Sequence, residues 1–417
     1  MGAGQVPWQR YRADLLAVYQ AAVQAVGGRA CVAAALGTRG ERRFSHLIAV
    51  GKAAPHMAAG AWDVLGAELE AGLIITKHGH CEPLYPPQAP VRCLEAAHPV
   101  PDESSLAAGW ALLEFLRAAP SDASMLFLIS GGASSLVEVL PEGLAADFLG
   151  RMNQWLLAAG LPIGAMNRVR KRVSCIKGGR LAAHLAGRRT LNLLISDVPG
   201  DDLRVIGSGL LVPHRTEDLS LRGIELPDWL EAATEHAPPL PRRRAFQSIR
   251  SRIIARPADA RRAAAQAGEA LGYSTYVYEE LLSGEAADIG RHVVQEVVAG
   301  PPGLRVWVGE TTVHLPPKPG RGGRCQSLAL AAAAEIAGRS DMYVLAAGTD
   351  GSDGPGEDAG ALVDGDTVER AHLAGLQPVP SLEAADAGTF LEASGDLIYT
   401  GPTGTNVMDL VLILKVG

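Results

Sequence analysis

The chain has 417 residues, 47% of them hydrophobic and 20% charged, with a formal net charge of -7. That length exceeds one ordinary core and supplies enough apolar surface for two domains without disulfide or metal staples. The acidic balance excludes the concentrated basic face of a nucleic-acid binder and points to a small, soluble substrate.

Residues Trp8 to Leu36 carry apolar side chains at helical spacing and read as an amphipathic helix. The N-terminus has no continuous apolar signal segment, and no uncharged stretch is long enough to cross a bilayer, so no membrane partner and a cytoplasmic location are expected. The five cysteines (Cys31, Cys81, Cys93, Cys175, Cys325) are odd in number and show no CxxC spacing, and are expected as reduced thiols. A buried strand over Leu47 to Val50 follows. Strands then recur at Gly72 to Thr76, Val91 to Glu95, Met125 to Ile129 and Leu191 to Ile195, with helices over Ala54 to Leu65, Ser104 to Arg117, Leu144 to Ala158 and Arg168 to Leu185. Such alternation predicts a parallel sheet with helices on both faces and ligands at the carboxyl ends of its strands.

A composition shift over Pro213 to Arg244, rich in proline, glutamate and arginine, reads as a linker. Beyond it come a helix over Ala258 to Ala270, a strand at Ser274 to Tyr278, a helix over Ala286 to Val298, a strand at Arg305 to Gly309, a helix over Gln326 to Ala337 and a strand at Met342 to Ala346. The expected organisation is therefore an N-terminal α/β domain over 1–245 and a C-terminal α/β domain over 246–417, with the active site in a cleft between them.

The loops carry the chemistry. Of the 38 basic residues, only Lys52, Lys77, Lys171, Lys177, Lys318 and Lys415 are lysine, so a retained lysine suggests a chemical need. Lys52 follows a buried strand in Val50-Gly51-Lys52-Ala53, where an ammonium beside helix amides can neutralise phosphate. The turn is neither a Walker A loop nor a GxGxxG dinucleotide turn. Ser130-Gly131-Gly132-Ala133-Ser134 supplies amides and hydroxyls suited to an anion nest, while the absent GxSxG argues against a serine nucleophile. Asn167, Arg170 and Lys177 belong to a basic stretch interrupted by Gly178 and Gly179. In Ser196-Asp197-Val198-Pro199-Gly200-Asp201-Asp202, Asp197 directly follows a strand and suits a base or magnesium contact, whereas Asp201 and Asp202 suit turn or cap positions. In the second half, Glu310 ends a strand, and Gly320-Arg321-Gly322-Gly323-Arg324 opens a helix with a guanidinium able to grip phosphate. Gly348 to Gly354 adds Asp350 and Asp353, and Thr405 and Asn406 lie in a final hydroxyl-rich loop.

Taken in order, these motifs resemble the glycerate 2-kinase family with a C-terminal MOFRL domain, formerly labelled as hydroxypyruvate reductases. The resemblance also rests on Met166-Asn167 through Lys171, Ile176 to Arg180, Gly207-Ser208-Gly209, Gly309 to Thr312 and Thr400 to Asn406. It implies a Rossmann-like N-terminal sheet and ATP- and Mg2+-dependent phosphorylation of D-glycerate, or of a related hydroxy acid, at the 2-hydroxyl. It also implies catalytic roles for Lys52 and Arg324; Asp197 is expected as base or metal contact from its place after a strand. ATP is expected on Ser130, Gly131, Gly132, Ser134, Gly320, Gly322, Gly323, Asp350 and Asp353, the substrate on Asn167, Arg170, Lys177, Glu310, Thr405 and Asn406, and magnesium on Asp197 and Asp353. An NAD(P)H-dependent hydroxypyruvate reductase is the alternative activity, and a homodimer is left open. The sequence departs from the family pattern at Cys325 and Ser327, where asparagine and glutamate are usual, at Ala133, where glycine is common, and at Leu210, where proline is common.

Overall fold

Continuous apolar runs without polar alternation form strands only where both sheet faces are covered. In the computed structural model, which describes residues 7–37, 43–82 and 84–417, such runs form the central strands of one all-parallel sheet of six, whose two edge strands carry charges. The six are β1 (His46–Val50), β2 (Ala71–Lys77), β3 (Val91–Ala96), β4 (Met125–Ile129), β5 (Thr190–Ile195) and β6 (Ile249–Ala255), in the order β3-β2-β1-β4-β5-β6. Every residue of β1, β4 and β5 is buried. Ile48, Phe127 and Leu112, all 0% exposed, anchor one core face, and each large side chain buried this fully contributes roughly 1.5–3 kcal/mol. The strand order reverses direction between β1 and β4, which opens a crevice at their carboxyl ends.

Four expectations about this half change. The helix read over Trp8 to Leu36 is two helices, Pro7–Ala25 and Gly28–Gly37, separated at Gly27. The helix read over Arg168 to Leu185 stops at Arg172 and resumes as a 3-10 helix at Arg180, because Gly178 and Gly179 adopt positive φ of 64° and 84°. The presumed linker is packed structure: Leu221, Ile224, Leu226, Trp229 and Leu230 join a core with Leu149, Met152 and Val169. Finally, Cys81 and Cys93 are joined in a disulfide, leaving Cys31, Cys175 and Cys325 as the thiols. The turn after β2 folds back beside the edge strand β3 and brings the two Cα atoms to 6.0 Å.

The division at 245/246 also shifts. One compact unit is Gly28–Ala255, because β6 pairs with β5; the other is Arg256–Gly417 together with the residues up to Gly27. The helix Pro7–Ala25 belongs to that second unit through specific bonds. Tyr19 donates to the Gly348 carbonyl at 2.7 Å, Arg12 pairs with Asp364 and Asp396, and Tyr273 donates to Asp14.

The second unit carries β7 (Thr275–Val277), β8 (Gly303–Gly309), β9 (Met342–Gly348), β10 (Gly360–Asp364), β11 (Leu397–Ile398) and β12 (Asp409–Lys415), in the order β11-β10-β9-β12-β8-β7. This sheet is mixed: β12 runs antiparallel to β8 and β9, and β7 runs parallel to β8. The carboxyl ends of β8 and β9 therefore flank the first residue of β12, Asp409.

Candidate active site

Two turns meet where the order of the parallel sheet reverses. β1 leads through Gly51-Lys52-Ala53 into the helix Ala54–Leu65, and β4 leads through Ser130-Gly131-Gly132 into the short helix Ala133–Leu136. Lys52 N–H donates to the Gly131 carbonyl at 2.9 Å, and Ala53 N–H donates to Ser130 Oγ at 3.1 Å. Ser130 is fully buried. Its hydroxyl thus ties the turns together, where a ligand contact was expected. Gly132 adopts φ +84°, and a Cβ there would lie 3.2 Å from Lys52 Cγ and 2.9 Å from His98 Cδ2. A glycine lets the lysine stem and the imidazole pack on the same turn.

Beside Gly132 lies a cavity of about 170 Å³ whose walls include the expected Ser134, Asn167, Arg170 and Lys177, together with His98, Glu138, Asn153 and Ser208. A polar pocket of this size suits a small acid. Arg170 extends from the helix Ile163–Arg172, with its amino groups directed at Asn153 Oδ1 (3.3 Å) and Asn167 Oδ1 (3.5 Å). Burial lowers its pKa, against the opposing influence of Glu138, yet a guanidinium stays charged. Its Nε is buried without a hydrogen-bond partner, while the side chain lines the cavity. Ser134 and Ser208 hydroxyls meet at 2.6 Å.

Lys177 is placed differently from its expected substrate contact. Its ammonium lies 2.5 Å from Glu138 Oε2, and the two side chains are 2% and 1% exposed. The charge is therefore already matched inside the cavity wall. Lys171, near the end of the helix Ile163–Arg172, donates to the Arg204 carbonyl at 2.7 Å and lies 3.2 Å from His214 Nε2; burial pushes its pKa down to about 8.

In the second unit Arg324 is the first residue of the helix Arg324–Glu335. Asp409 grips it in bidentate fashion, Nε to Oδ2 at 2.5 Å and an amino group to Oδ1 at 3.0 Å, and Glu310 pairs with the other amino group at 2.6 Å. Burial disfavours the charged guanidinium, but Asp409 and then Glu310 outweigh it and hold the pKa well above the ordinary value. Glu310 is thus engaged with Arg324, not free for substrate.

The glycines ahead of this helix serve packing. A Cβ on Gly320 would strike Asp386, one on Gly322 would crowd the Gly388 amide, and one on Gly323 would strike Asp353. The helix amides are also occupied, since Cys325 and Gln326 N–H donate to the Asp353 carboxylate at 3.1 and 2.8 Å. Asp353, 2% exposed, thus caps this helix and takes two of its first amides, at a position where a nucleotide and magnesium contact was expected. Burial and then Asp409 raise its pKa to about 7, against those two amides. Asp350 closes a local turn through Ser352, and Thr405 donates to the Val26 carbonyl at 2.7 Å, holding the end of the first helix. Asn406 is nearly buried in the same loop.

Asp197 is half-buried at the end of β5 but is not among the residues lining the cavity, and Asp202 pairs with Arg204. Among the described residues, no three His, Cys, Asp or Glu side chains gather into a metal site. Sequence reasoning missed His98, Glu138, Asn153 and Asp409. Only His98 left a legible signal, a lone histidine directly after a strand in Ala97-His98-Pro99. Cys325 lies in the hydrophobic core, 2% exposed, so the departure from the family motif there changes the helix interior.

Comparison with known proteins gives two family matches: a domain of unknown function, DUF4147, over residues 14–225, and the MOFRL family over 304–409. A D-glycerate 2-kinase of Thermotoga maritima is 36% identical over 89% of this chain and 90% of its own length. A glycerate 2-kinase of Pyrococcus horikoshii is 35% identical over 88% of this chain and 87% of its own length. The crystal structure of the Thermotoga maritima glycerate kinase superposes with a TM-score of 0.84 at 33% identity, covering 98% of this chain and all of that one.

Proposed function

The chain belongs to the glycerate kinase family defined by its DUF4147 and MOFRL regions, and on that premise we propose that it transfers the γ-phosphoryl group of ATP to the 2-hydroxyl of D-glycerate. The products are 2-phosphoglycerate and ADP. The observation that carries this reading is the small cavity at the β1/β4 reversal, whose wall includes the half-buried guanidinium of Arg170 beside the Gly132 turn that the Lys52 stem packs on. Arg170, oriented by Asn153 and Asn167, takes the acid's carboxylate. Lys52 offsets charge on the phosphoryl group, as does Arg324, which Asp409 orients. Phosphoryl transfer needs little covalent chemistry from the protein, so positioning and electrostatics account for most of the rate.

Magnesium fits this donor set only in a restricted way. With Asp353 committed to helix amides, Asp197 is the expected carboxylate still suited to the ion, which ordinarily takes one or two carboxylates along with the nucleotide phosphates and waters. When bound, magnesium supplies charge neutralisation between the phosphates.

Phosphorus NMR of the protein with Mg-ATP and D-glycerate tests the reading directly. A new phosphomonoester at the 2-position is expected. Lys52→Ala and Arg324→Ala should each lower the rate by on the order of 10²-fold or more; activity surviving both substitutions would refute the assigned roles. A reductase would instead consume nicotinamide absorbance with hydroxypyruvate, and the first turn of the sheet lacks the glycines that approach a pyrophosphate.

A further inference from the structure

We propose that His98 is the proton acceptor of the reaction, taking the proton of the attacking hydroxyl; this rests on the kinase reading above. The imidazole follows edge strand β3 and enters the wall of the cavity that also presents Arg170. Its Nε2 lies 3.1 Å from the point where a Cβ on Gly132 would stand, and Lys52 Cγ lies 3.2 Å from that same point. The imidazole and the phosphate-directed lysine are therefore neighbours across a single glycine. A hydroxy acid whose carboxylate meets Arg170 presents its hydroxyl inside a cavity of about 170 Å³ that His98 helps to enclose.

The other ionisable groups of the cavity do not suit the task. Arg170 and Lys177 are proton donors, and Glu138 is committed: Oε2 accepts from Lys177 at 2.5 Å, and Oε1 accepts from Ser174 at 2.5 Å and from Val139 N–H at 2.9 Å. Asp197, the acceptor expected from the sequence, is outside the lining. In the step itself, the substrate oxygen forms a bond to the γ-phosphorus and the bond from that phosphorus to the β–γ bridging oxygen breaks. ADP leaves with the electron pair, and the hydroxyl proton moves to the His98 imidazole and then to solvent.

The test compares wild type with His98→Asn in steady-state kinetics with Mg-ATP and D-glycerate across pH 5–9, alongside glycerate binding by calorimetry. The expected result is a loss of kcat on the order of 10²-fold or more, a KM and binding affinity within a few-fold of wild type, and disappearance of the acidic limb of kcat/KM. If His98→Asn keeps kcat and the same acidic limb, the proton-acceptor role is overturned while the kinase reading stands. A raised KM with kcat intact also overturns it, by assigning His98 to binding alone. A wild-type protein that forms no phosphomonoester overturns the kinase reading and this proposal together.

Discussion

Lys177→Met isolates the cost of a buried, unmatched carboxylate. Methionine keeps the length of the lysine stem and removes its charge, leaving Glu138 1% exposed with Oε1 still bonded to Ser174 and Val139 but Oε2 without the ammonium. Removing one partner from a buried ion pair costs roughly 3–5 kcal/mol. At about 2–4 °C per kcal/mol for a unit of roughly 150–250 residues, the unfolding transition of the parallel-sheet unit should fall by about 6–20 °C. The double variant Lys177→Met/Glu138→Gln removes both charges. It should be less destabilised than the sum of the single variants, with a coupling on the order of 2 kcal/mol or more. Calorimetry and urea unfolding of all four proteins, followed by circular dichroism, supply the cycle. Additive losses would refute the reasoning, since they would mean that neither charge feels the other's removal.

Two further outcomes follow from neighbouring groups. Lys171 has its folded pKa pushed down to about 8 by burial, from an ordinary 10.5. The unfolded chain thus binds more protons between these values, and stability rises with pH across that window by on the order of 3 kcal/mol. Urea midpoints at pH 7.5 to 10.5 should show this rise in wild type and not in Lys171→Met; parallel curves would contradict it. Asp409→Asn keeps the shape beside Arg324 but removes the charge that orients it. It should lower kcat by on the order of 10- to 10²-fold with little change in glycerate KM, and an unchanged kcat would separate Arg324 from the reaction.

The architecture of the parallel sheet is legible because its central strands are uniformly apolar and its helices periodic; Met125 to Ile129 and Ala54 to Leu65 are read to the residue. β6 is not, because Ile249-Arg250-Ser251-Arg252 carries the charges of an edge strand and resembles a loop. The proline-rich stretch misleads for a related reason: Leu221, Ile224 and Trp229 are spaced too irregularly to show periodicity, yet all pack on one core. Around the candidate site, Lys52, Asn167 and Arg170 are visible from their turns and spacing. Gly320, Gly323 and Asp353 show why glycine-rich loops are ambiguous. Close packing demands the same absence of a Cβ that phosphate approach does, and only the positions of Asp386 and the helix amides decide between them. Asp409 leaves no sequence signal, because its role arises when β12 inserts between β8 and β9.

The scarcity of lysine in this arginine-rich chain takes on a steric meaning. Lys177 reaches a carboxylate in a space where 2% of its side chain is exposed, and Lys171 brings a carbonyl and a histidine nitrogen to one ammonium. Lys415 does the same with the Val298 and Gly300 carbonyls at 2.8 and 2.7 Å, at the end of the helix Ala286–Ala299. In each case the acceptors converge on a compact charge, which a planar guanidinium cannot satisfy. Arginine is kept where its fork is used: Arg180 spans the Pro238 and Lys171 carbonyls, and Arg324 meets Asp409 with two parallel bonds. At these three positions lysine is kept where acceptors converge on one compact ammonium, whereas Lys318 is exposed and shows no such surroundings.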